Sequence, residues 1–375
     1  MTTRPSMLIL SFSPIRSDPR VLKQVALFKD KYHVSTCAYG DAPNGVEDHY
    51  ALPLDARGWS SDKLGLISRN YRRVYDGMTA VQLARTILPR NHFDIVFAND
   101  LNTLPLALEL NPRLGVHSDL HEYAPREKES DRKWRLFVAP FMDWMCRVHL
   151  PQARSVSTVC QGIADEYARN FGVKVGVVTN AAPYLDAAVT ATVAPVKVIY
   201  SGAGQRYRKI ELIIEAMRDV GPEVQMDFVV MPNEPEYVAE LREQARGIPN
   251  VKFLDPVPYE QLVAFLRDYD VAMCFLPNST FNLQNALPNK FFEAVQARIG
   301  VITGPSPAMV NLVREFSLGV VTEDFTAASL RAVLAGLEAD QVSEWKLAAN
   351  AAAWPLSAES QAAVWEASVS TIAGT

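Results

Sequence analysis

Apolar runs of strand length alternate with amphipathic runs of helix length along nearly the whole chain, and the series begins twice. The first series reads as strands at 7–12, 33–39, 94–98, 115–120, 155–159 and 175–179. Helices at 21–31, 71–88, 104–110, 134–148 and 163–170 fall among them, the first announced by Ser17-Asp18-Pro19. Residues 181–195 are rich in Ala, Thr and Pro, lack a strong period, and read as an interdomain linker. The second series gives strands at 197–201, 226–231, 251–254, 271–276 and 300–303. Its helices fall at 210–218, 237–245 and 259–267, with another ending near 297 and a last one over 358–372. Parallel strands need long crossovers, and helices supply them. The pattern therefore predicts an α/β fold of two Rossmann-like doubly wound domains facing a central cleft.

Composition narrows the function classes. The four cysteines, Cys37, Cys146, Cys160 and Cys274, form no CxxC pair, which argues against a disulfide framework or a zinc site and for a cytoplasmic setting. No run is long enough to cross a bilayer. Charge is uneven: residues 1–180 carry 23 Lys+Arg against 19 Asp+Glu, whereas 181–375 carry 14 against 23. The basic clusters around Arg69, Arg72 and Arg73 and from Arg126 to Arg135 come without stacking aromatics or a recognition helix, so nucleic acid is not expected as a partner. Lys133-Trp134-Arg135-Leu136-Phe137, followed by Phe141, Trp144 and Met145, mixes cations with bulky apolar groups. That mixture fits a peripheral contact with the inner face of a membrane, but an amphipathic core helix with a solvated face is the favoured reading.

Four segments carry candidate chemistry. In Leu287-Pro288-Asn289-Lys290-Phe291-Phe292-Glu293, Pro288 fits the first turn of a helix whose free N–H groups, with Lys290, make an anion site. Glu293 lies one turn on, suited to ribose hydroxyls; a surface Lys–Glu pair is the competing reading. Ser201-Gly202-Ala203-Gly204 ends a strand, and Arg206, Arg208 and Lys209 follow, a group that suits a diphosphate or a tight turn with solvated cations. His117, Asp119 and His121 share one face at a strand end, where polar groups point toward a ligand; a metal would need a further ligand. Asp100 can orient a hydroxyl, but it or Thr103 also fits the N-cap of the next helix, and capping is the favoured reading. No GxSxG elbow, Walker loop or GxGxxG fingerprint is present.

Taken in order, these segments resemble the retaining glycosyltransferases of family 4, which have the GT-B fold, and specifically a branch with the signature "LPNKxFE". Asp18-Pro19-Arg20-Val21 is similar to the family's donor-facing first loop. Residues 98–104 resemble "HDLDTL", with Asn99 in place of His. Asp119-Leu120-His121-Glu122 resembles "DSHE", residues 159–164 "VSEGIA", and residues 179–184 "PNAPPY". Tyr200 to Ala203, Arg208 and residues 211–217 resemble "YxGG…RG…LIEAM", and Leu287 to Glu293 the signature itself. The resemblance covers nearly the whole chain.

The resemblance implies transfer of a sugar from a nucleotide-diphosphate sugar, UDP- or GDP-linked, to a glycan, lipid-linked or small-molecule hydroxyl, with retention and without metal or cofactor. Arg208 and Lys290 would hold the departing diphosphate, Glu293 the ribose, and His121 the donor sugar with Glu122 in support. Further donor contacts would come from Ser13, Gly202, Ala203, Gly204, Asn285, Leu287 and Asn289. Arg16, Asp18, Asp100 and Asn102 would lie on the acceptor side. The implied domains are 1–184 for the acceptor and 185–354 for the donor, with a helix in 355–375 returning to the first. Two departures stand out: Asn285 replaces a Glu eight residues before the ribose Glu, and Ala203 replaces a common Arg. They keep open a sugar-nucleotide epimerase and a non-catalytic scaffold or sensor of the same fold.

Overall fold

The computed structural model describes residues 4–374. The chain forms two compact units. One comprises the chain up to Thr179, Thr280–Asn282 and the chain from Ala362; the other comprises Asn180–Ser279 and Leu283–Gln361.

The first unit is built on seven parallel strands: β1 (Ser6–Pro14), β2 (His33–Tyr39), β3 (Asp48–Leu52), β4 (Ile95–Asn99), β5 (Gly115–Leu120), β6 (Ser155–Thr158) and β7 (Val175–Val177). Their order is β3-β2-β1-β4-β5-β6-β7. Met7 to Leu10 and Ile95 to Ala98 are fully buried, as expected of central strands covered on both faces. Asp18 caps the helix Pro19–Phe28, accepting from the N–H groups of Arg20 and Val21, so the start signal in the sequence is the one used. Met7, Ile9, Phe28 and Phe97 form the core with Trp365 and Val369 of the last helix, Ala358–Ala373.

The second unit carries six parallel strands: β8 (Val196–Ala203), β9 (Val224–Met231), β10 (Val251–Leu254), β11 (Val271–Cys274), β12 (Gly300–Thr303) and β13 (Gly319–Val321). Their order is β10-β9-β8-β11-β12-β13. In each sheet the strand order reverses once, between β1 and β4 and between β8 and β11. At such a switch point successive crossovers leave opposite faces of the sheet, and a crevice opens at the carboxyl ends of the strands. Asp100, His121, Gly202 and Ala203 lie at those ends.

The structure departs from the sequence pattern in several places. β3 has no counterpart in that pattern: Asp48-His49-Tyr50-Ala51-Leu52 is a short edge strand buried only at Leu52, with no continuous apolar run. The helix expected over 71–88 is two, Tyr71–Asp76 and Thr79–Ile87, parted at Gly77. The helix expected over 134–148 opens with a widened π-type segment, Trp134–Val138, before Ala139–His149. Residues 181–195 have no regular structure, yet they are not a loose linker. Leu185 donates its N–H to Gln296 and its carbonyl accepts from the buried Arg298 guanidinium, which fixes this stretch to the second unit. No helix of the described residues is long and apolar enough to cross a membrane.

Candidate functional site

Two groups of residues stand at the two switch points, one on each unit. In the second unit, Pro288 proves to be the N-cap rather than a first-turn residue, and the helix runs Asn289–Ala297. Its residues from Phe291 to Ala297 are all buried, Glu293 being 4% exposed. A solvated Lys–Glu pair is therefore excluded, since a carboxylate is not buried without a binding or structural reason.

Lys290 extends across the end of β8. Its Nζ lies 3.6 Å from the centre of the Tyr200 ring, a cation–π contact. A Cβ added at Gly202 would sit 3.1 Å from that Nζ and 3.3 Å from Cε, and Gly202 has φ +151°, where side chains are strained. Glycine at 202 thus gives the ammonium its place. Part of the lysine surface still meets solvent, but the packing around it lowers its pKa to about 7. Burial is the main cause; Arg208 adds to it, while Cys274 and Glu293 oppose it.

Arg208 ends a single 3-10 turn, Arg206–Arg208, its Nε 3.5 Å from the Gln205 side-chain oxygen and its guanidinium beside the Tyr207 ring. The three cations before helix Glu211–Met217 are not equivalent. Arg206 is paired with Glu240 at 2.5 Å, and Lys209 lies 3.8 Å from Glu211. Among the described residues Arg208 and Lys290 have no carboxylate within 4 Å. Ala203 closes β8, while Asn285 and Leu287 lie buried ahead of Asn289, the first helical residue. Gly204 serves packing rather than the ammonium, since a Cβ there would meet Val238 at 2.5 Å and the Met231 carbonyl at 2.7 Å.

In the first unit, the ends of β4 and β5 bring Asp100, His121 and Glu122 together. Asp100 does not cap the helix Leu104–Glu109. It holds φ +65°, and its carboxylate accepts from the His121 N–H at 3.2 Å and lies 3.3 Å from His121 Nδ1. Thr103 does not cap through its side chain either; its hydroxyl donates to the carbonyls of Asn99 and Asp100. An Asp in the left-handed region costs about 1–3 kcal/mol and persists where its surroundings hold it, often at functional sites.

Asp119 anchors the other side of His121, 3.6 Å from Nε2. It is fully buried and takes two hydrogen bonds of 2.7 Å from Arg20, with further ones from Gln24, Ser157 and Trp365. Burial opposes its charge, but Arg20 and His121 outweigh that and hold its pKa well below the usual range. Burial likewise acts to lower the His121 pKa, and Asp100 and Asp119 more than reverse it, so the pKa is raised above its ordinary value. Glu122 meets solvent at a cavity mouth, yet the walls around it, then Glu127 and Asp100, push its pKa up to about 7.

Other expected residues of the first unit have defined neighbours. Arg20, in the segment likened to a donor-facing loop, is buried and clamps Asp119. Asp18 caps its helix and accepts from Ser13, and Arg16 donates to the Ala42 carbonyl at the surface. Ser13, expected at the donor, belongs to the first unit and not to the Lys290 group. His117 is a core histidine between Ser155 and Ser157, and burial lowers its pKa to about 4. Asn102 donates to the Gly58 carbonyl at 3.0 Å and lines the cavity. Among the described residues no three His, Cys, Asp or Glu side chains are placed to hold a metal.

Comparison with known proteins agrees with this division. Residues 188–354 match the family described as Glycosyl transferases group 1. Among solved structures, HepE of Anabaena in complex with UDP has a TM-score of 0.68 at 15% identity, covering 98% of this chain and 100% of its own. An α,α-trehalose-phosphate synthase (UDP-forming) of Burkholderia vietnamiensis has a TM-score of 0.67 at 12% identity, covering 99% and 98%. An E. coli structure described as trehalose-6-phosphate bound with UDP-2-fluoro glucose gives 0.66 at 11%, covering 98% of each chain. No curated protein matches the chain in sequence. The fold is thus GT-B, and the residues that match the group 1 family lie almost entirely in the second unit.

Proposed function

We propose that this protein transfers a sugar from a nucleotide-diphosphate sugar to an acceptor hydroxyl, with retention and without a metal ion, as a family 4 enzyme of the "LPNKxFE" branch. The observation that carries the proposal is the Lys290 group. An ammonium held by Gly202 and Tyr200 at the start of a buried helix, with Arg208 near it, is positive charge without an acidic partner. A diphosphate supplies that partner, and negative charge grows on it as the sugar departs. Cations fixed in advance then stabilise the transition state more than the ground state. Glu293, buried one turn along the helix, would take the ribose hydroxyls. His121, set between Asp100 and Asp119, would bind the donor sugar. The first unit would hold the acceptor. The UDP complexes of HepE and the UDP-forming synthase favour a UDP-sugar.

The test is a thermal-shift screen with UDP, GDP, ADP and TDP and their common sugars. A ligand at about one hundred times its dissociation constant stabilises by roughly 2.7 kcal/mol. A shift with one nucleotide that is lost in Arg208→Ala and Lys290→Ala supports the proposal. No shift with any of them overturns it in favour of a non-catalytic relative. Turnover of the donor without acceptor would point to an epimerase.

A further inference from the structure

A cavity of about 1120 Å³ opens in the first unit beside Asp100, His121 and Glu122. It is somewhat larger than the usual range for sites that enclose a drug-sized ligand, about 300–1,000 Å³. Polar groups line it at the strand ends and also at Asp55, Arg57, Glu127 and Lys128; one side, with Phe12, Trp59, Trp134, Val138, Phe141 and Met142, is apolar.

The wall is held by specific contacts. The segment before helix Lys63–Ile67 lies directly on Phe12, since a Cβ at Gly58 would sit 2.9 Å from Phe12 Cβ. Asn102 fixes the same segment through the Gly58 carbonyl at 3.0 Å. Trp59, 61% exposed, stands under the Arg57 guanidinium at 5.2 Å. On the opposite side, the widened segment Trp134–Val138 and the helix after it contribute Trp134, Val138, Phe141 and Met142 to the lining, with Trp134 and Phe141 largely buried and Phe141 packed against Tyr71 and Trp144.

A glycan presents many hydroxyls, and each one buried against that apolar side would lose its hydrogen bonds to water without replacement. An apolar body gains from the same burial. We infer that the acceptor is an amphiphile, an apolar ring system or alkyl chain bearing a hydroxyl, with its body in this cavity and its hydroxyl toward Asp100 and Glu122. The inference rests on the transferase reading. In the transfer, the hydroxyl oxygen bonds to the anomeric carbon as the bond from that carbon to the phosphate oxygen breaks. The nucleoside diphosphate leaves with the electron pair and takes the hydroxyl proton.

The experiment has two readouts on the full chain. In the first, tryptophan fluorescence is titrated, without donor, with 2-naphthalenemethanol, with decanol below its aggregation limit, and with maltose. Saturable binding of either alcohol, weakened at least tenfold in Trp59→Ala and in Phe141→Ala, and no binding of maltose, is expected. Trp59 is exposed, so its variant tests the cavity even if Phe141→Ala fails to fold. Preference for the naphthyl or the decyl probe tells a ring body from a lipid chain. In the second, nucleotide release from the donor identified by thermal shift is followed with the same acceptors, and at least tenfold stimulation by an apolar alcohol alone is expected. Stimulation by maltose alone, or alcohol binding unchanged in Trp59→Ala, overturns the inference. Donor binding that fails while cavity binding is lost in Trp59→Ala overturns the transferase reading and upholds the cavity's preference for an amphiphile.

Discussion

Lys290 should make donor affinity depend on pH, by an amount that follows from its surroundings. Its pKa in the free protein is about 7, lowered chiefly by burial. Only the ammonium pairs with a diphosphate, so binding draws on the protonated fraction. For a pKa near 7 that fraction falls from about nine-tenths at pH 6 to about one-tenth at pH 8, a loss of affinity of about tenfold, or roughly 1.4 kcal/mol. At pH 7 each binding event should take up about half a proton. The ligand must be an intact nucleotide sugar, because a terminal phosphate ionises near pH 6 and would obscure the effect. Isothermal titration across pH 6–8, in two buffers of different ionisation heat, reads both quantities. Lys290→Arg keeps a charge that does not titrate in this range, and should give a flatter profile with little proton uptake. A wild-type affinity that is flat and independent of buffer, or one that falls equally in the arginine variant, would refute the placement of Lys290 against the diphosphate.

The same depressed pKa has a consequence for folding. Between about 7 and the ordinary lysine value of 10.5 the unfolded chain holds more protons at this position. Stability from this group therefore rises with pH across that window and is lowest below it. Lys290→Met should raise the melting temperature of the ligand-free protein at pH 7 while removing the shift caused by donor, both read by scanning calorimetry. Arg208→Ala and Glu293→Ala should each lower transfer about a hundredfold, with near-native circular dichroism, the expected loss for a transition-state contact. Gly202→Ala should displace the Lys290 ammonium and weaken donor binding in the titration above, whereas Gly204→Ala, which meets Val238 and a carbonyl, should lower thermal stability instead. Arg20→Ala leaves Asp119 buried without its ion pair and should cost about 3–5 kcal/mol in urea unfolding of the first unit.

How much the sequence reveals depends on how local each signal is. Both sheets are legible, because buried parallel strands such as Met7 to Leu10 are continuous apolar runs. The Lys290 group is marked for a related reason: Gly202 ends a strand and Lys290 begins a helix, and ends of elements carry local marks. Even so, only the burial of Glu293 removes the alternative of a surface Lys–Glu pair, and burial is not local. Asp119 shows the limit most clearly. Its partners Arg20 and Trp365 lie 99 and 246 residues away, so the network that holds His121 has no local pattern. Asp100 escapes the sequence for the same reason, since capping is the local use of an Asp before a helix and His121 is its distant one.

The cavity exposes an ambiguity of another kind. Trp134, Val138, Phe141 and Met142 recur at helical spacing, which is the mark of a face turned away from water. Periodicity shows that such a face is covered, not what covers it. A core stripe and a ligand wall carry the same period and the same residue types, and only the placement of residues 54–60 across from this helix tells them apart. Those residues contain Gly58, which allows the close approach to Phe12, and Trp59, too exposed to be explained by packing. The group 1 match spans only 188–354, the unit that holds Lys290, Gly202 and Arg208. The cavity lies outside it. On the transferase reading, the chemistry of sugar activation sits in the part of the chain that matches a family. The choice of what receives the sugar then rests with a wall of Trp59, Trp134 and Phe141 that the match does not cover.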